Sequence, residues 1–118
     1  LEQIIALQRL PRNVSMAILS PDYFIYRIKR KTNITGFTYE SAITDGIEVD
    51  GAETIIQSIT VTPIDLILGD INITLTSAEV AFVRSIRPNY PNMKWFFRET
   101  IAGLPRTLLA GKFDVRLL

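Results

Sequence analysis

Residues 63–80 read PIDLILGDINITLTSAEV, and the way this stretch folds sets the frame for the rest of the chain. Ile71, Ile73 and Leu75 alternate with Asn72, Thr74 and Thr76, the two-residue period of a strand with one buried face. The preceding Leu66, Ile67 and Leu68 are consecutive, which breaks the alternation. Gly69-Asp70 stands between the two apolar runs, and glycine suits the first central position of a type II′ turn. The segment is therefore read as a hairpin in preference to one straight strand. Thr76 and Glu79 have the spacing of a capping box, in which each side chain satisfies the other residue's backbone N–H. A helix of about three turns is expected from there to Pro88, with Val80, Val83 and Phe82 or Ile86 turned inward.

Strands dominate upstream. YFIYRIKRK (23–31) is rich in aromatic and β-branched residues, with Phe24, Tyr26, Ile28 and Arg30 on one face. Tyr23, Ile25, Arg27, Lys29 and Lys31 occupy the other face. FTYESAIT (37–44) is expected to return beside it, and ETIIQSITVT (53–62) alternates well. Asp45-Gly46 and Asp50-Gly51 are turn dipeptides, so DGIEVDG reads as a short excursion. At the start, the apolar spacing of residues 1–10 predicts a short helix stopped by Pro11.

Downstream, Asn92 can cap a second helix, MKWFFRETIAG, with Met93, Phe96, Phe97 and Ile101 or Leu104 on its apolar face. Gly103 and Pro105 would end it. The tail KFDVRLL alternates and can form a last strand. The expectation is a single domain over residues 1–118, plausibly an excised or processed segment of a longer chain. Its fold class is α+β: a β-rich antiparallel sheet in the middle, a short N-terminal helix, and two helices near the C-terminus.

Composition narrows the chemistry. Apolar residues make up 47% of the 118 and charged residues 21%, a globular balance. Cysteine and histidine are absent, which removes thiol nucleophiles, disulfides, zinc fingers and imidazole bases. No glycine-rich phosphate loop is present, and no cofactor is expected. Charged residues interrupt every apolar run before the roughly 18 residues of a membrane-spanning helix. No signal peptide is read at the start, and the lack of cysteine favours a cytoplasmic or assembled-particle setting.

Net charge is +1, but it is unevenly placed. Residues 1–83 hold 6 basic and 10 acidic groups, for −4, and residues 84–118 hold 7 and 2, for +5. Such separation allows pairing within one fold or between copies. Asp45, Glu48, Asp50 and Glu53 offer oxygen ligands, but they lack the spacing of a calcium loop and read as turn chemistry.

These features point to a non-enzymatic structural or interaction subunit that assembles with copies of itself or with other proteins. A component of a virion or phage-tail-like particle fits the same description. Trp95, Phe96, Phe97 and Arg98 are the candidate partner interface, being of the types enriched in interface cores. The alternative is a nucleic-acid-binding module, with Arg27, Lys29 and Lys31 along the phosphates and Tyr23 as a stacking platform.

Overall fold

The computed structural model describes residues 11–49 and 52–116, so the helix expected over residues 1–10 lies outside the described residues. The chain is mostly β, a curled half-barrel sheet in the order β1-β8-β7-β4-β5-β6-β3. Its strands are β1 (Arg12–Asn13), β2 (Met16–Ile18), β3 (Phe24–Lys29), β4 (Thr38–Val49), β5 (Ala52–Asp65), β6 (Asp70–Leu75), β7 (Lys94–Ile101) and β8 (Leu104–Val115). Helix α1 (Ser77–Ile86) runs into a single 3-10 turn at Arg87–Asn89. Neighbouring strands are antiparallel, except that β1 and β2 both lie parallel to β8 along its outer edge.

The expected α+β class is thereby corrected to a mostly β chain, with one α-helix among the described residues. The error sits at residues 93–104, where the second C-terminal helix was expected. Here β7 lies between β4 and β8, with Trp95 opposite Ile43 and Gly111, and Phe97 opposite Ser41 and Leu109. Trp95, Phe97 and Glu99 face the concave interior. Phe96 is buried on the convex face, opposite Ala42 and Ala110 and beneath the Arg98 guanidinium, which lies 4.4 Å from the ring centroid. A strand with both faces covered shows a continuous apolar run and no alternation. That run, WFF, also satisfies a helical spacing, so the sequence alone favoured the wrong element.

β5 is the corner of the half-barrel. Its first half pairs with β4 up to Ile59, and its second half pairs with β6 from Thr60 onward. Pro63 sits past the β4 pairing, so its missing N–H costs nothing on that side, and on the other it is opposite Ile71 where the β6 register shifts. The curl brings β3 over the inner face of β7 and β8, so Phe24 meets Phe113 edge-on at 5.6 Å and Tyr26 meets Trp95 at 6.4 Å. The Trp95 indole N–H donates to the Val14 carbonyl at 2.6 Å, tying the β1–β2 edge to the core. Helix α1 covers this core with Val80 and Val83, whereas Phe82 points outward. The expected capping box is present, with Thr76 Oγ1 accepting from Glu79 N–H and Glu79 Oε1 from Thr76 N–H.

Candidate interaction surface

The register places the β5–β6 and β7–β8 turns and the β3–β4 loop at one end of the half-barrel, and the β4–β5 connection and α1 at the other. The β5–β6 turn is built locally. Asp65 Oδ1 accepts from the N–H groups of Ile67 and Leu68, both at 3.0 Å, and Gly69 N–H donates to the Asp65 carbonyl at 2.8 Å. The β3–β4 loop then clamps it, with Arg30 N–H donating to the Gly69 carbonyl and Ile34 N–H to the Leu66 carbonyl. The hairpin read from the sequence is thus present, but it closes through residues 66–69 and not through a type II′ turn at Gly69-Asp70.

This rigid backbone carries its apolar side chains into solvent. Ile67 is 66% and Leu68 60% exposed, and Ile64 and Leu66 stand beside them, about half exposed. Isolated exposed apolar residues are ordinary, whereas a cluster on a fixed turn is a candidate contact surface. The sequence signal for it was the break in alternation at Leu66, Ile67 and Leu68, which was not read as a site.

A second projection is the β4–β5 arm. Beyond Thr44, which pairs with Lys94 and Ile55, β4 has no strand neighbour but β5 among the described residues, and the pairing resumes only at Glu48 with Glu53 and Val49 with Ala52. Three residues of β4, 45–47, oppose a single residue of β5, so the arm leaves the sheet through a bulge. Asp45 Oδ1 caps the Ile47 N–H there at 2.9 Å. Gly46 has φ +78° and backs onto Asn92 so closely that a Cβ would fall 1.7 Å from the Asn92 carbonyl oxygen. Ile47, Glu48, Glu53 and Ile55 are all exposed.

The residues singled out from the sequence fall into two groups. Arg27 and Lys29 lie on the exposed face of β3, an edge strand, with Tyr23 exposed just before it, and Arg27 reaches Asn72. Lys31 follows them at φ +56°, also exposed. Trp95 and Phe97 are spent on the interior, and Phe96 is covered on the other face, which leaves Arg98, paired with Glu40 at 2.8 Å, as the accessible member of that set. The expected aromatic interface is therefore largely core within this chain.

Inside the mouth of the half-barrel lies a charge cluster that no motif announced. Glu99 is 1% exposed, and its carboxylate accepts from Arg30 Nε at 2.7 Å, Arg30 Nη2 at 3.1 Å and the Tyr39 hydroxyl at 2.7 Å. Arg106 stands 3.9 Å away, and the Tyr39 ring stacks on Phe97 at 5.2 Å. Burial alone would push the Glu99 carboxyl up, but the hydrogen bonds from Arg30 and Tyr39 and the nearby cations outweigh it and hold it below its usual range. Burial, and then the hydrogen bond to Glu99, raise the Tyr39 phenol. Every carboxylate oxygen here has a donor, so the cluster reads as a structural clasp between β3, β4 and β7. Among the described residues no group of three or more acidic side chains is placed to hold a metal ion, and no helix is long and apolar enough to cross a membrane.

No protein-family model and no curated protein matches the chain. Among solved structures it is similar to an uncharacterized protein from Bacillus anthracis str. Ames, at 11% sequence identity and a TM-score of 0.44, with 90% of this chain and 80% of that one covered.

Proposed function

We propose that this chain is a non-enzymatic structural subunit that works by protein–protein assembly, of the kind made by repeated subunits of a virion or phage-tail-like particle. The observation that supports this reading is the β5–β6 tip, where Ile64, Leu66, Ile67 and Leu68 are exposed on a backbone already fixed by Asp65 and the β3–β4 loop. A pre-ordered apolar tip loses little conformational freedom on docking, so most of its burial counts toward association. Light scattering on the eluting protein tests the proposal. The parent chain is expected at a multiple of 13.3 kDa. Ile67→Ser/Leu68→Ser is expected to lower that mass while keeping the β circular-dichroism signature. A parent that stays monomeric, and a tip variant that assembles as the parent does, each count against it.

A second reading, nucleic-acid binding, is supported by the placement of Arg27 and Lys29 together on the exposed face of β3, with Tyr23 exposed just before it. It requires oligonucleotide binding that falls steeply with salt and is lost in Arg27→Gln/Lys29→Gln.

A further inference from the structure

Apart from Asp65 and Asp70, opposed where the β5–β6 turn closes and with Asp70 also opposite Lys29, two like-charge pairs face each other across strands in this molecule. In the β4–β5 arm, Glu48 is directly opposite Glu53, and at the base of β7 and β8, Lys94 is directly opposite Lys112. Like charges in directly opposed positions destabilise a sheet. All four side chains are exposed, and none joins an ion pair among the described residues. Among the described residues these two repulsions, of opposite sign, are thus relieved by no ion pair.

The surroundings of each pair complement the other. Among the described residues the arm is a two-stranded ribbon with no third strand beside it, an arrangement that is marginal in water by itself. It presents Ile47, 59% exposed, and Ile55, 47% exposed, beside the two glutamates. The lysines border a cavity of about 390 Å³ whose walls include Met16, Met93 and Phe113. The other cations at its rim, Arg87 and Arg116, already share Asp114, at 2.6 and 3.6 Å, so among the described residues Lys94 and Lys112 are the rim cations without an ion pair.

Resting on the assembly reading above, we infer that the β4–β5 arm of one copy docks on the Lys94–Lys112 face of a second copy of this chain. Glu48 and Glu53 neutralise the lysines, and Ile47 and Ile55, exposed in the single chain, lose water against the rim of the cavity. The two surfaces are neighbouring patches at one end of the molecule, so the contact either runs one way and repeats into a ring or filament, or is made twice about a two-fold axis by exchanged arms, and the mass of the assembly distinguishes the two. Two projections then have two roles: the β5–β6 tip supplies apolar area, and the arm supplies register and direction.

Charge reversal tests this on the whole chain. Sedimentation velocity is run on the parent, on Lys94→Glu/Lys112→Glu and on Glu48→Lys/Glu53→Lys, each alone and then with the two variants mixed. The substituted side chains are all exposed, so circular dichroism is expected to match the parent. Each variant alone is expected to lose higher-mass species, with the apparent Kd rising at least about tenfold, because like charges then meet across the contact. The mixture, and the chain carrying all four reversals, are expected to recover assembly. If the parent assembles and the reversals leave its mass unchanged, the arm contact is overturned while the assembly reading stands. If the reversals dissociate it and neither the mixture nor the fourfold variant recovers, the arm contact is likewise overturned. A parent that is monomeric at every concentration overturns both.

Discussion

The β5–β6 and β7–β8 hairpins end at the same end of the half-barrel, yet they are held by different physics. The β5–β6 turn is largely self-contained, with Asp65 accepting two amide hydrogens three residues or fewer away and Gly69 closing the loop. The β7–β8 turn has no such side-chain cap. Ala102 and Gly103 both have positive φ, at +51° and +79°, as a two-residue type I′ turn requires. What fixes this hairpin lies in its stem: Trp95 and Phe97 in the core, and Glu99 clasped by Arg30 and Tyr39. One hairpin is specified from its turn outward. The other is specified from distant contacts toward its turn.

Glycine substitution gives the largest separation between the two. At Gly69 an added Cβ would lie 2.5 Å from the Thr32 carbonyl oxygen and 2.9 Å from the Arg30 Cβ. Gly69→Ala therefore combines a left-handed backbone cost of about 1–2 kcal/mol with crowding of about 1–3 kcal/mol, roughly 3 kcal/mol together. At Gly103 nothing lies within 4 Å, so Gly103→Ala is expected to cost only the backbone share, about 1 kcal/mol. Urea unfolding of the two variants measures the difference. Equal losses would break the contrast between a clamped turn and an open one.

The clasp at Glu99 gives the next effect. A carboxyl held below its usual range in the folded state stabilises fully above its unfolded pKa of roughly 4.3, and that contribution fades as pH falls through the folded value. The parent should thus lose stability in acid below about pH 4.3, and Glu99→Gln should flatten that limb. At neutral pH the same variant is expected to lose about 2 kcal/mol, since the Arg30 cation loses its counter-charge and an amide NH2 replaces one oxygen that accepts from Arg30 or Tyr39. Unfolding midpoints measured from pH 7 down to pH 3 check both parts. An acid limb of unchanged slope would remove Glu99 from the account of the β7–β8 stem.

The smallest effect belongs to the locally specified region. Thr76→Ala deletes the oxygen that accepts the Glu79 N–H, and a lost N-cap costs about 1 kcal/mol. Thermal unfolding should show a fall of a few degrees, and Thr76→Ser should restore most of it. A cost above that of Glu99→Gln would reverse the ranking of local and long-range contributions.

This ranking explains which parts of the fold were legible beforehand. β6 shows strict alternation because one face is buried and the other is half exposed, and α1 announces itself through the Thr76–Glu79 box. The faces of β3 could be assigned residue by residue for the same reason, with Phe24 and Ile28 in the core and Arg27 and Lys29 outside. β7 could not be read this way. It lies between two strands with cover on both faces, so its apolar residues run together and mimic a helix. The Glu99 clasp was equally hidden, because Arg30, Tyr39 and Glu99 are separated by up to 69 residues and follow no spacing.

From its own order of residues the chain determined the elements whose stabilising groups are neighbours along it: the capped helix, the alternating strand β6, and a hairpin after Asp65. It also determined the absence of thiol and imidazole chemistry and the opposite charge of its two parts. Tertiary structure decided which apolar runs were paired on both sides, and so turned residues 94–101 into a central strand. It also decided that Glu48 faces Glu53 and that Lys94 faces Lys112. The physical reason is common to both. Strand pairing and its register are set by partners far along the chain, and a segment's own periodicity carries no record of what will cover its second face.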